Sequence, residues 1–422
     1  MEPLVALSET APLPQETLDQ LLDQLLAQYP DMRRVLILPP DFTRFYSCAG
    51  EITRRLYEKL SDRCRVEIMP ASGTHVPMTR EQRHRMFGTE IPEECFLQHN
   101  WQTDTVRLGQ VPAEVVRALS GGKFAETVDV EVNRRLLSGE YDRIFSIGQV
   151  VPHEVVGMAN YSKNIFVGTG GRQMINKSHM LGAVCGLETM LGCTDTPVRG
   201  LFDYAQTHFL DSLPLTYLLT VVRSEETETS LHGLFIGDTR EPYERAAALS
   251  QKLNITWVER PAKKVVAYLE PQEFVTTWVA NKGIYRTRML VADGGELLLL
   301  APGVRGFGEN PEVDALIRRH GYHGTPYLME QYQKGAFGDA AMAAAHLIHG
   351  SSEGRFGVTY AVDPQKLSRE EIESVGFSFM DIRDALRQYP PEQLRDGFQT
   401  LENGEEIYFV RMPALGLWRV KE

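Results

Sequence analysis

Three short polar segments, each straight after an apolar run, carry much of the titratable chemistry of this chain: Asp41-Phe-Thr-Arg44, Ser72-Gly-Thr-His75 and His153-Glu-Val-Val-Gly157. Histidine gains and loses its proton near neutral pH, so His75 and His153 are candidates for a general acid and base. Arginine grips a carboxylate through two parallel hydrogen bonds, which makes Arg44 a candidate anchor for an acidic substrate. Further along stand Lys163, ten residues beyond His153, His179, sixteen beyond Lys163, and Lys282, which follows Phe274. Singly, each has an ordinary explanation. Asp41 and Thr43 can cap the helix that starts near Gly50, a lone histidine is more often hydrogen-bonded structure than a catalyst, and a lone lysine reads as surface. Three histidines can also hold zinc or another divalent ion for a hydrolase or lyase, and a non-catalytic carboxylate- or nucleotide-binding protein can keep the same residues.

The elements that position these residues follow from hydrophobic spacing. Leu18, Leu21, Leu22, Leu25 and Leu26 fall on one helical face. The runs Arg34-Val-Leu-Ile-Leu-Pro39, Arg65-Val-Glu-Ile-Met69 and Arg143-Ile-Phe-Ser-Ile147 read as buried strands of an α/β domain with a largely parallel sheet. Polar residues directly after such strands mark the ligand crevice of an open α/β sheet, so the three segments converge on one site. Leu215–Val222 and Leu231–Ile236 read as further strands and Glu241–Leu253 as a helix, completing an N-terminal domain over 1–258. A second α/β domain, 259–389, is entered at Val265–Leu269 and includes a strand over Glu296–Ala301 and an alanine-rich helix over Ala340–Ile348. The strand-like Glu406–Arg411 in the tail 390–422 is expected to return to the first domain. The fold class is therefore two α/β domains with largely parallel sheets and an active-site cleft between them, closing over substrate.

Several familiar motifs fail. Gly168-Thr-Gly-Gly-Arg-Gln173 has glutamine where a dinucleotide fingerprint needs its third glycine, and Asn176-Lys-Ser178 lacks the glycine of a phosphate loop. A turn built on Gly168, Gly170 and Gly171 with Arg172 can still hold a phosphate through backbone amides. HExxH and CxxC are absent from the sequence. Forty-four basic against 56 acidic residues leave a net charge of −12, which repels nucleic acid and anionic membranes. Five cysteines without a CxxC pair, and an N-terminus without a basic start and apolar run, fit a cytoplasmic protein with reduced thiols and no membrane association.

Order and spacing together are more specific. An aspartate-x-threonine-arginine segment, a glycine-threonine-histidine segment, and a histidine followed after ten residues by lysine and after sixteen more by histidine make this chain resemble the lactate racemase family, along its whole length. These are nickel-pincer enzymes that racemise or epimerise 2-hydroxy acids. The resemblance implies that Lys163 carries the nickel-pincer nucleotide (nickel pyridinium-3,5-bisthiocarboxylic acid mononucleotide) through a thioamide, and that His179 ligates nickel in a tetragonal site. It implies that His75 and His153 are acid/base groups on opposite sides of the substrate carbon. Arg44 and Lys282 would bind the carboxylate, with Asp41 orienting this cationic wall. The resemblance further implies that substrate hydride would pass to the pincer and return on the other face of the planar keto acid, and that cofactor-maturation proteins would load the enzyme. Three departures stand out. The family's glycine-tyrosine-serine-glycine-glycine run before the lysine is Gly157-Met-Ala-Asn-Tyr-Ser162 here, and its proline-glycine after the lysine is Val167-Gly168. The residues before Lys282, Thr277-Trp-Val-Ala-Asn281, also differ from the family's glutamine-serine pattern. Trp278 and Tyr46 are large enough to shape the site for a 2-hydroxy acid bigger than lactate.

Overall fold

The structure, a computed structural model, describes every residue except Glu226, Thr227, Leu415 and Glu422. The chain forms two compact units, Met1–Leu181 with Met190–Asn254, and Gly182–Thr189 with Ile255–Glu422. Among the described residues each is built on one six-stranded sheet.

In the first unit the strands are β1 (Leu4–Leu7), β2 (Arg34–Leu38), β3 (Arg65–Ile68), β4 (Arg143–Gln149), β5 (Leu215–Glu225) and β6 (Glu228–Gly237). Their order is β1-β6-β5-β4-β2-β3. The four from β5 to β3 run parallel, and β6 and β1 are added antiparallel. Val35 to Leu38 are fully buried, as a strand covered on both faces must be, which explains an unbroken apolar run instead of alternation. Helix Gln15–Ala27 buries the five leucines of its predicted face in the same core as Ile52 and Leu56 of helix Ala49–Leu60. From β2 the chain crosses to β3 on one side and later to β4 on the other, so the sheet changes winding direction between β2 and β4. The loops leaving those strands diverge and open a crevice at their carboxyl ends.

The second unit carries β7 (Ala262–Tyr268), β8 (Val291–Leu300), β9 (Gly357–Val362), β10 (Ser378–Asp381), β11 (Gly397–Thr400) and β12 (Glu406–Val410), in the order β10-β9-β8-β7-β12-β11. All neighbours are parallel except β11 with β12. The tail therefore does not return to the first domain. Val265, Val266 and Ala267 of β7 pair with Tyr408, Phe409 and Val410, and Thr256–Val258 pairs in parallel with Trp418–Val420, which moves the boundary from 258 back to 254. The apolar pattern of 406–411 marks a strand but not which sheet edge it completes. The excursion Gly182–Thr189 is tied in by Glu188, whose Oε1 accepts from Arg288 Nε at 2.7 Å.

Candidate functional site

Directly after β2, Asp41 is 5% exposed and caps the short 3-10 helix Phe42–Ser47, not the helix near Gly50. Its Oδ1 accepts from the Thr43 amide and hydroxyl at 3.1 and 2.5 Å, and its Oδ2 accepts from His75 Nδ1 at 2.6 Å. Burial raises the Asp41 carboxyl pKa, but the hydrogen bonds from His75 and Thr43 outweigh it and hold the group below its ordinary range. An ionised Asp41 keeps the His75 proton on Nδ1 and leaves Nε2 as an open lone pair, the arrangement of a positioned base. The expected part for Asp41, orienting Arg44 and Lys282, is thus corrected: its carboxylate is spent on His75 and Thr43. The His75 loop is pinned by a bridge between Ala71 and Pro40 and by Gly73, at φ +55°, whose N–H donates to the Gly168 carbonyl at 2.9 Å. His75 and Arg44 are both exposed.

After β4 the chain makes a tight hairpin, Pro152–His153 against Gly157–Met158. Gly157 sits at φ +85°, and a Cβ there would lie 2.2 Å from the Cys193 carbonyl, so the glycine is obligatory. His153 is buried, and its Nδ1 accepts from the Val155 N–H at 3.1 Å. Burial, with a smaller contribution from the Lys163 charge, pushes its pKa well below the ordinary value despite nearby Glu154. It is therefore neutral, with its proton on Nε2, the opposite tautomer from His75.

Lys163 opens a π-helical turn, Asn164–Gly168, a rare geometry that recurs at functional sites. Asn164 Nδ2 donates to the Leu38 carbonyl at 3.1 Å and to Ser146 Oγ at 2.9 Å, fastening this turn to the ends of β2 and β4. Burial, and next the charge of Arg44, lower the Lys163 pKa to about 8. An amine near that value is partly neutral, and hence nucleophilic, at physiological pH. Helix Arg172–Cys185 brings in His179, whose Nδ1 donates to the Ile175 carbonyl at 2.6 Å and leaves Nε2 bare. Burial lowers its pKa to about 4. A neutral imidazole with one N–H tied to a carbonyl is how proteins present a histidine to a metal.

Sequence reasoning missed the scaffold under Lys163. Asn160 and Tyr161, standing where the family pattern has its paired glycines, have φ of +64° and +57°. Non-glycine residues in that region cost roughly 1–3 kcal/mol each unless the surroundings enforce them. The enforcing group is Arg199, fully buried, with Nη1 on Ser162 Oγ at 2.7 Å and Nη2 on the carbonyls of Met158 and Asn160 at 2.9 and 3.1 Å. The Tyr161 ring lies 4.5 Å from that of Tyr217 and stacks at 5.3 Å on that of Tyr243. Nothing in the local sequence Thr196-Pro-Val-Arg199 signals this, because the partners lie about 40 residues away.

The glycine-rich turn is explained differently from the expectation. A Cβ at Gly168 would meet Ala71, one at Gly170 would lie 1.8 Å from the Phe166 carbonyl oxygen, and one at Gly171 would meet the Glu131 side chain. The Glu131 carboxylate also accepts from the Gln173 amide at 2.8 Å. An anion already occupies that helix start, so close packing accounts for the three glycines and the phosphate cradle is withdrawn. The Arg172 guanidinium lies over Trp101, 5.4 Å from the ring centre.

Lys282 belongs to the second unit, 3.8 Å from Glu273. Just before it, Asn281 Oδ1 accepts from Tyr360 OH, and Trp278 stacks on buried His346 at 4.2 Å, so one face of that indole is committed to the interior. Both ring nitrogens of His346 are bonded, to Tyr285 and Tyr322 hydroxyls, each at 2.9 Å. Tyr46, in the first unit, is exposed and packs edge-on to Phe45.

Residues 11–189 match the family model described as the lactate racemase N-terminal domain. Over that stretch the chain is similar to the lactate racemase N-terminal domain. The fold agrees. A crystal structure of a protein from Thermotoga maritima is similar to this chain with a TM-score of 0.81 at 24% identity, over 99% of this chain and 100% of that one. The lactate racemase apoprotein from Thermoanaerobacterium thermosaccharolyticum is similar with a TM-score of 0.67 at 16% identity, over 97% of this chain and 90% of that one. At these identities the likeness speaks for the fold. No curated protein matches the sequence. Among the described residues no three His, Cys, Asp or Glu side chains are grouped to hold a metal. Among those residues, too, no helix is long and apolar enough to cross a membrane.

Proposed function

We propose that this chain is a racemase or epimerase of a 2-hydroxy acid that works with a nickel-pincer nucleotide held on Lys163. The observation that carries the reading is the set of hydrogen bonds that fixes three histidines in two tautomers, His75 and His179 with an open Nε2 and His153 with its proton there. The partners that fix them are Asp41 for His75, the Val155 amide for His153 and the Ile175 carbonyl for His179. The residues suit the cofactor: the Lys163 amine, lowered to about 8, would hold it covalently, and the neutral His179 imidazole would ligate its nickel. When bound, the nucleotide supplies a reversible two-electron acceptor for the substrate Cα–H.

The protein residues then divide the remaining work. Arg44 holds the substrate carboxylate by a two-point grip and so lets the rest of the molecule turn. His75 takes the hydroxyl proton on Nε2 while ionised Asp41 stabilises the resulting imidazolium. His153, with its proton already on Nε2, donates toward the oxygen on the other side of the carbon and thereby allows reaction in both directions. Cofactor-maturation proteins are the partners this scheme requires.

The test is the intact mass of protein co-produced with a pincer-cofactor maturation system that loads a known lactate racemase. The expected result is a nickel- and sulfur-containing nucleotide adduct on Lys163 that is absent from Lys163→Ala, followed by interconversion of 2-hydroxy acid enantiomers. Unmodified Lys163 from that host would refute the covalent assignment.

A further inference from the structure

The residue that aims Lys163 is distant in sequence and absent from the motifs. Asn160 and Tyr161 place two consecutive left-handed residues immediately before Ser162 and the lysine, a backbone course that glycine adopts freely and tyrosine resists. Three hydrogen bonds from one buried guanidinium span this turn on its Met158, Asn160 and Ser162 acceptors. The same helix start is fixed to the turn a second time, because Thr196 Oγ1 accepts from the Arg199 amide and donates to the Val156 carbonyl, both at 3.0 Å. Arg199 also lies 4.3 Å from the Tyr243 ring centre, which shields these bonds from water.

We propose that Arg199 is a positioning residue for Lys163: its guanidinium holds the Asn160–Tyr161 turn closed, in place of paired glycines, and so presents the lysine amine at the site. The proposal rests on the reading of Lys163 as the functional amine. A planar fork reaches three acceptors that a lysine ammonium at the same position would not satisfy together.

The test follows acylation of Lys163 in the apoprotein by an amine-reactive reagent, read by peptide mass spectrometry from about pH 6 to about 11. The wild-type profile is expected to centre near about 8. Arg199→Lys keeps the buried cation, so charge alone predicts no change. Loss of the fork is expected to raise the midpoint by about one pH unit or more toward the ~10.4 of a free lysine, a roughly tenfold slower reaction near neutral pH. Other lysines should keep their profiles. Adding Asn160→Gly, which removes the left-handed penalty at one of the two positions, is expected to restore most of the wild-type profile. A folded Arg199→Lys protein with a wild-type Lys163 profile overturns the proposal, and so does a shift that Asn160→Gly leaves untouched. Should circular dichroism show Arg199→Lys unfolded, Ser162→Ala decides: it removes one of the three bonds and keeps the arginine, and an unmoved Lys163 profile overturns the proposal equally. None of these measurements involves the nucleotide. A protein that never takes up cofactor would therefore refute the function without touching the Arg199 assignment.

Discussion

His75 keeps its proton on Nδ1 only because an acceptor stands 2.6 Å away, and Asp41→Asn removes that acceptor's charge while preserving its shape. The amide can turn its NH2 toward the ring, which reverses the tautomer and closes off Nε2. Turnover of the responsive 2-hydroxy acid, measured as kcat/KM in both directions, is expected to fall by about 100-fold or more, the usual contribution of a positioned acid or base. The folded protein should survive, and wild-type kcat/KM in Asp41→Asn would remove His75 from the base role. The pH sign follows from the depressed Asp41 carboxyl. The stability it lends is present above the unfolded value of about 3.9 and is lost as pH falls through the lower folded value.

At the scale of elements, a glycine's worth depends on what its missing Cβ would strike. Gly170→Ala puts a methyl 1.8 Å from a backbone carbonyl oxygen, which cannot swing aside as a side chain would. The π-helical turn carrying Lys163 must shift, and urea denaturation is expected to show a loss of roughly 2–3 kcal/mol, in the range of core overpacking. A midpoint unchanged from wild type would mean the turn is looser than the contacts imply. The sequence made much of this scale legible. Helix Gln15–Ala27 and strands β2, β3, β4 and β8 follow from periodicity, since burying an apolar face or run is a local requirement. The placing of Asp41, His75 and His153 just beyond β2, β3 and β4 is legible for the same reason, whereas Lys163 stands out only through its spacing from His153 and His179. What stayed hidden depends on partners far along the chain: the Glu131 carboxylate on the Gln173 amide, the Arg199 clamp, the pairing of Asp41 with His75 instead of the cationic wall, and β12 beside β7. Spacing reports which residues are available for a site, whereas these contacts are chosen by tertiary packing.

Over the whole molecule, acid acts through imidazoles buried in the neutral form in both units. Burial, with a lesser contribution from the His349 charge, lowers His346 to about 3, and burial lowers His179 to about 4. An unfolded histidine takes up its proton near 6.5. Between that value and the folded ones the unfolded chain binds more protons, so stability declines as pH drops from about 6.5 toward 3 to 4. The urea midpoint is expected to fall between about pH 7.5 and about pH 5, and His346→Phe should flatten that dependence even if it lowers stability at every pH. An equal pH slope in the variant would place the acid sensitivity elsewhere.

The excursion Gly182–Thr189 has a consequence for how the chain comes off the ribosome. Met190–Asn254 completes the first unit, yet the eight residues just before it belong to the second and wait for a partner not yet made. Glu188 meets Arg288 across a sequence separation of 100 residues. At about 5–20 residues per second, translation leaves that stretch uncovered for roughly 5 to 20 seconds. The interval includes Leu187, which ends up 2% exposed in the finished fold. The nascent first unit, with the site lysine already synthesised, thus offers an apolar segment to chaperones during that window, and a stall in synthesis anywhere between residues 189 and 288 would hold it there.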